Sequence, residues 1–145
     1  MYDTAVDVTL LLDRLATAWN AGDADGYAAF FTDDCRYVAF FGGVYAGRAE
    51  IAVSHRLLFD GPLKNSRLFC ELIDVRTIAP NVLVAVTRGD IARSRPRTLP
   101  KVQTYVLIGS DDGWMIAHFH NVRRSPLMRW LTYRLGPAAR PSLLA

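Results

Sequence analysis

At Arg67 the chain changes its hydrophobic period, and that change restricts the possible folds more than any other feature. Before it, apolar residues recur at three- and four-residue spacing, the period of helices. After it, four long segments alternate apolar and polar residues: Leu68 to Ile78, Val82 to Ile91, Leu99 to Ile108 and Trp114 to Val122. Pro80-Asn81 and Ser110-Asp111-Asp112-Gly113 supply hairpin turns, and Arg93 to Arg97 a longer basic loop. Helices in front of long antiparallel strands predict an α+β domain, one sheet curling over the helices so that both apolar faces are buried. A chain of 145 residues has room for one such core.

Within the helical front, Val8, Leu11, Leu12, Leu15, Ala18 and Trp19 form one stripe that stops at Asn20-Ala21-Gly22. Asp23 can cap a second, shorter helix with Tyr27, Phe30 and Phe31 inward, ending at Thr32-Asp33-Asp34. Arg36 to Phe41 reads as a strand, Gly42-Gly43 as a turn and Val44-Tyr45 as a short return strand. A third helix follows Gly47, and its positions Ile51, His55, Leu58 and Phe59 place His55 in the middle of the buried stripe. Ser125-Pro126 starts a last helix with Leu127, Leu131 and Leu135 on one face, stopped by Gly136-Pro137. The expected division is a domain over 1–122 and a basic helix and tail over 123–145.

With 51% hydrophobic and 21% charged residues the chain is neither disordered nor fibrous. Residues 1–34 carry seven acids and one base, Arg14, whereas residues 123–145 carry five arginines and no acid. The excess of three positive charges therefore belongs to the tail, and the body offers no nucleic-acid footprint. Cys35 and Cys70 lack metal-site or disulfide-framework spacing and are expected as free thiols. No apolar run has the roughly 18 residues of a membrane span, and Met1-Tyr2-Asp3 does not open a secretory signal, so a cytoplasmic protein is expected.

Trp19-Asn20-Ala21-Gly22-Asp23-Ala24-Asp25-Gly26, Phe31-Thr32-Asp33-Asp34-Cys35, Gly47-Arg48-Ala49-Glu50-Ile51 and Gly113-Trp114-Met115-Ile116 follow one another in an order that resembles the nuclear-transport-factor-two-like superfamily, SnoaL-like group, over residues 3–122. Within it, Phe119-His120-Asn121 and the Lys64 to Glu71 segment are similar to small proteins of enediyne-type biosynthetic clusters that are often labelled oxidoreductases. The resemblance implies a cone-shaped, mostly antiparallel barrel around three N-terminal helices, a deep apolar cavity, and a homodimer through the outer sheet face. It implies a cavity protein for a small apolar, polyketide-like or aromatic molecule: either a cofactor-independent cyclase, isomerase or dehydratase, or a non-catalytic binding or scaffold module. No dinucleotide, P-loop or flavin pattern supports an oxidoreductase, and no cofactor is expected. The superfamily's ketosteroid isomerases use an Asp base and a helix-one Tyr. Here Ala39 and Leu15 stand near those places.

Alternation along the last strand puts Trp114, Ile116, His118 and His120 on one face and Met115, Ala117, Phe119 and Asn121 on the other. On that reading His120 and His118 face the cavity with His55 and are the candidate acid–base residues, since an imidazole exchanges protons near neutrality. Each can equally be a core histidine satisfied by a carbonyl or a Tyr hydroxyl, and one bulge would exchange His120 for Asn121. Three imidazoles could hold a metal, but no carboxylate is placed to orient them, so no metal is expected. Tyr37, Gln103 and Tyr105 are candidate substrate-orienting groups, and Trp19, Tyr27, Phe40 and Phe59 apolar wall or core. Asp90 is expected to pair with Arg88 or a loop arginine. The tail helix lies on an anionic membrane or grips a partner, or else packs on the barrel mouth or the second subunit, the reading preferred.

Overall fold

The computed structural model describes residues 3–144. Helix α1 (Thr4–Asn20) starts where the Asp3 carboxylate accepts from the amides of Ala5 and Val6, and ends at Gly22, whose φ of +66° carries the chain out of the helix. Val8, Leu11, Leu12, Leu15 and Trp19 of the predicted stripe are its buried residues. The second helix, α2 (Ala24–Ala28), is capped by Asp23 but is shorter than the sequence suggests. Phe31 is not its inner residue: it opens strand β1 (Phe31–Val38), where it is fully buried and pairs with Ile116. An aromatic residue followed by Thr32 suits a strand, and tertiary pairing outweighs the helical period.

Residues 39–43 form the turn into β2 (Val44–Ala46), and α3 (Arg48–Asp60) buries Ile51, His55 and Phe59 as the spacing requires. Gly47, between them, has φ +89° and sits so close to β1 that an added Cβ would lie 2.9 Å from the Asp33 carbonyl oxygen. Arg48 ties α3 to β1, donating from Nε to the Phe31 carbonyl and pairing with Asp33. Four long strands follow: β3 (Arg67–Ala79), β4 (Val82–Ala92), β5 (Lys101–Ser110) and β6 (Gly113–Arg123).

They form one six-stranded sheet of order β2-β1-β6-β5-β4-β3, antiparallel throughout except where β1 runs parallel to β6. The sheet curls around the helices into a half-barrel, an α+β architecture. Three extra residues help bend it: Ile73 and Ile78 in β3 and Ala117 in β6 have no partner in the neighbouring strand. The inner face presents Leu83, Ala85, Leu107, Ile116 and Phe119 to α1 and α3. After β6, α4 (Pro126–Leu135) is capped by Ser125, has no buried residue, and continues into a 3₁₀ turn at Pro137–Ala139. Among the described residues no helix is long and apolar enough to cross a membrane.

Gly47 and Phe31 test this account. Gly47→Ala is expected to lose about 1–3 kcal/mol, because Ala must adopt the same positive φ against a carbonyl. Phe31→Ala is expected to lose about 3–5 kcal/mol through the cavity it opens between β1 and β6. Urea unfolding followed by circular dichroism reads both, and equal stability of Gly47→Ala and the parent would contradict the close approach.

Candidate functional site

The inner face of β4, β5 and β6 meets Trp19 of α1 and Tyr27 of α2 around a small cavity. One wall is aromatic, made by Trp19, Tyr27, Tyr37, Tyr105 and Phe119, and their rings pack edge-on or tilted against one another. The other wall is polar. Thr87 donates to Gln103 Oε1 at 2.7 Å, and Gln103 Nε2 donates to Asn121 Oδ1 at 3.2 Å. Lys101 Nζ meets Asp90 at 2.9 Å with side chains 11% and 21% exposed, so this pair is well shielded from water. Gly89 makes room for this wall, since a Cβ there would lie 2.5 Å from the Phe69 carbonyl oxygen and 3.2 Å from Gln103 Oε1.

Behind the aromatic wall lies His55, 3% exposed and surrounded by Trp19, Tyr27, Tyr37 and Phe59. Its Nδ1 is 2.8 Å from the Ile51 carbonyl, which can only accept, so the proton sits on Nδ1 and Nε2 is left as an acceptor. Tyr37 therefore donates to Nε2 at 3.4 Å, and Tyr27 donates to Tyr37 at 3.3 Å. Burial holds the imidazolium down from the ordinary 6.5 to about 4, opposed by the Ile51 carbonyl. Burial also pushes Tyr37 up to about 12 and Tyr27 well above 10.0. Near neutral pH the relay thus holds an uncharged imidazole and two intact phenols.

The extra residue Ala117 corrects the reading of β6. Ile116 faces inward opposite Leu107, but beyond the bulge His118 pairs with Val106 and His120 with Thr104, and both point outward. His118 is partly exposed and His120 exposed, so neither shares the cavity with His55. Phe119 and Asn121 take the inner places. Trp19, Tyr27, Tyr37, Gln103 and Tyr105 line the cavity, while Phe59 packs behind Trp19 at 4.9 Å. Phe40 is 48% exposed in the β1–β2 turn, its ring 4.6 Å from Lys101 Nζ. Asp90 pairs with Lys101 rather than an arginine, and Arg88 is held by Glu71 instead. Lys101 was missed by the sequence reading, although its place two residues before Gln103 puts both on one strand face. Among the described residues no three His, Cys, Asp or Glu side chains converge as metal ligands.

The depth of the cavity is the second correction. Its volume is about 30 Å³, enough for roughly one water, where the resemblance implies a deep pocket. The tyrosine and phenylalanine rings fill the space.

His55 makes stability depend on pH in a calculable direction. Its folded value lies below its unfolded one, so between pH 6.5 and 4 the unfolded chain binds a proton that the native chain refuses. Stability therefore falls as pH drops through this window, by an expected ~3 kcal/mol at the acid end. Urea midpoints across pH 7 to 4 check this, and the fall should flatten in His55→Gln.

A family model, described as a SnoaL-like domain, matches residues 8–121. Among solved structures, a domain of unknown function with a cystatin-like fold from Nostoc punctiforme is 26% identical, with 95% of this chain and 90% of that chain covered and a TM-score of 0.72. An uncharacterized protein with a cystatin-like fold from Caulobacter vibrioides is 24% identical over 90% of this chain and 96% of its own, with a TM-score of 0.76. A dehydratase candidate of the NTF2-like family from Streptomyces avermitilis, 19% identical over 82% and 94%, gives a TM-score of 0.64. No functionally curated protein matches the chain. The matched span runs from the first helix into the last strand, and the chain belongs to the SnoaL-like domain family.

Proposed function

We propose that this protein binds a small, flat, largely apolar molecule, of the aromatic or polyketide-like class, between the aromatic wall and the Gln103–Asn121 wall. One observation carries the reading: an ordered row of polar side chains, the buried Thr87 and Gln103 and the partly buried Asn121, faces five aromatic rings in a core that apolar residues would fill at lower desolvation cost. Rings recognise a flat body, and the Gln103 and Asn121 amides with Lys101 orient an oxygen group on it.

At about 30 Å³ the cavity is too small for such a molecule, so binding requires its mouth to open. The Phe40 turn and the Lys101–Asp90 pair stand at that mouth. The copies associate through the outer sheet face, where Ile108 and Val122 are 42% and 50% exposed beside the half-buried Val84, Val86 and Val106. On this reading His118 and His120 belong to the assembly surface and not to the ligand.

The relay favours a second reading, proton transfer. A ligand proton would pass to the Tyr37 oxygen as Tyr37 passes its own to His55 Nε2, leaving an imidazolium. With His55 held to about 4, that imidazolium is disfavoured near neutrality, which places binding ahead of catalysis.

Titration with 2-naphthol, a flat probe with one hydroxyl, is expected to show one site per chain by fluorescence. Gln103→Leu should weaken it about three- to tenfold, the range for one lost hydrogen bond. His120→Ala should leave it unchanged. Unaltered binding in Gln103→Leu would place the probe elsewhere, and no binding with no retained adduct in native mass spectrometry would end the proposal. Turnover that disappears in Tyr37→Phe would promote the second reading.

A further inference from the structure

Helix α4 stands on the fold the wrong way round for an isolated domain. Its partly buried residues are Arg129 and Tyr133, one turn apart, whereas Leu127, Leu131 and Leu135 form a stripe that is 69%, 41% and 78% exposed. Met128 and Trp130 flank the stripe at 58% and 59%. An amphipathic helix normally turns its leucines toward its own core. Five arginines and no acid accompany it over residues 123–145.

At the other end of β6 lies a surface that complements this helix. A groove of about 800 Å³ runs between α1 and the β5–β6 turn, with Leu10, Phe30, Trp114 and Met115 along it and Asp7, Asp111 and Asp112 at its edges. Arg14 is the single base in its lining. Leu10 is 49% exposed there, so the groove, like the helix, leaves apolar surface uncovered.

The two cannot meet within one chain. The groove adjoins Gly113 and α4 follows Arg123, the opposite ends of an eleven-residue strand about 35 Å long at the usual rise per residue. Only Arg124 and Ser125 connect β6 to the helix. Two copies related by a two-fold axis, with their β6 strands antiparallel, bring each helix beside the partner's groove, and the contact closes after two copies.

We propose that the Leu127–Leu131–Leu135 stripe of one copy seats in the α1/β5–β6 groove of a second copy, with Arg134 set against Asp111 and Asp112. The occupant is a second copy because the groove supplies both features the helix lacks, apolar cover and negative charge, on the same chain. The inference adds a contact to the sheet-face dimer and is independent of what the cavity binds.

Full-length single variants Leu131→Cys and Leu10→Cys, mixed and mildly oxidised, test the contact, with disulfides mapped by mass spectrometry. The expected product is a heterodimer joined through positions 131 and 10. Arg134→Glu is expected to raise the dimer dissociation constant about tenfold, and Asp111→Arg combined with it to recover most of the loss, as a direct charge pair requires. Circular dichroism confirms that each variant folds. A dimer by light scattering without the 131–10 product overturns the helix-in-groove contact but leaves the sheet-face assembly. A monomer by light scattering overturns both. Sedimentation of the chain with phosphatidylserine-containing vesicles, abolished by Leu131→Glu, with no 131–10 product, assigns the stripe to a lipid surface and overturns the inference.

Discussion

Ala117 faces no residue of β5, so Ile116 pairs with Leu107 while His118, the next residue but one, pairs with Val106. The inward series of β6 before the bulge ends at Ile116, and a new one begins at Phe119 and continues through Asn121. Without the bulge, strict alternation would put two imidazoles where Phe119 and Asn121 now stand. The aromatic wall would lose the ring that packs on both Tyr37 and Tyr105, and Gln103 would lose its acceptor. A single unpaired residue thus sets the composition of the interior and bends the sheet in the same step.

Around that interior the electrostatics are arranged to keep charge out. His55 is buried among four aromatic side chains and stays neutral, its proton fixed on Nδ1 by the Ile51 carbonyl. The phenols of Tyr27 and Tyr37 then align toward Nε2 because each has only one acceptor that completes the chain. The one ion pair of the cavity, Lys101–Asp90, stands at its mouth under the Phe40 ring, where water still reaches part of it.

Much of this was legible in the sequence, for physical reasons that differ from residue to residue. The α1 stripe and the buried place of His55 follow from helical spacing, since a helix period repeats over many residues and tolerates no single insertion. Tyr37, Gln103 and Tyr105 line the cavity, one of the two places the sequence offers each, and for Gln103 and Tyr105 the alternation from Lys101 to Leu107 runs unbroken. His118 and His120 were misplaced, because period-two counting fails after one extra residue and nothing local to Ala117 announces it. The short α2 was overextended because Phe31 fits a helical stripe as well as a strand, and only Ile116, far along the chain, decides between them. The small cavity volume was illegible for another reason: it depends on the rotamers of four large rings, which no spacing encodes.

The parallel pairing of β1 with β6 sets an order on how the molecule can be made. Phe31 and Ile116 are neighbours in the sheet although most of the chain lies between them. Loop closure over such a separation is entropically costly, and it cannot happen until β6 has been synthesised. A chain growing from its N-terminus therefore passes through a stage in which α1, α2 and the β1–β2 hairpin are complete but one edge of β1 is bare. During that stage Phe31 is covered on one side only, by Tyr27 and Tyr37, and β3 and β4 pair toward the far edge of the sheet without touching it. The acids at positions 33 and 34 lie on this waiting strand, and like charges on an open edge discourage two nascent chains from pairing there.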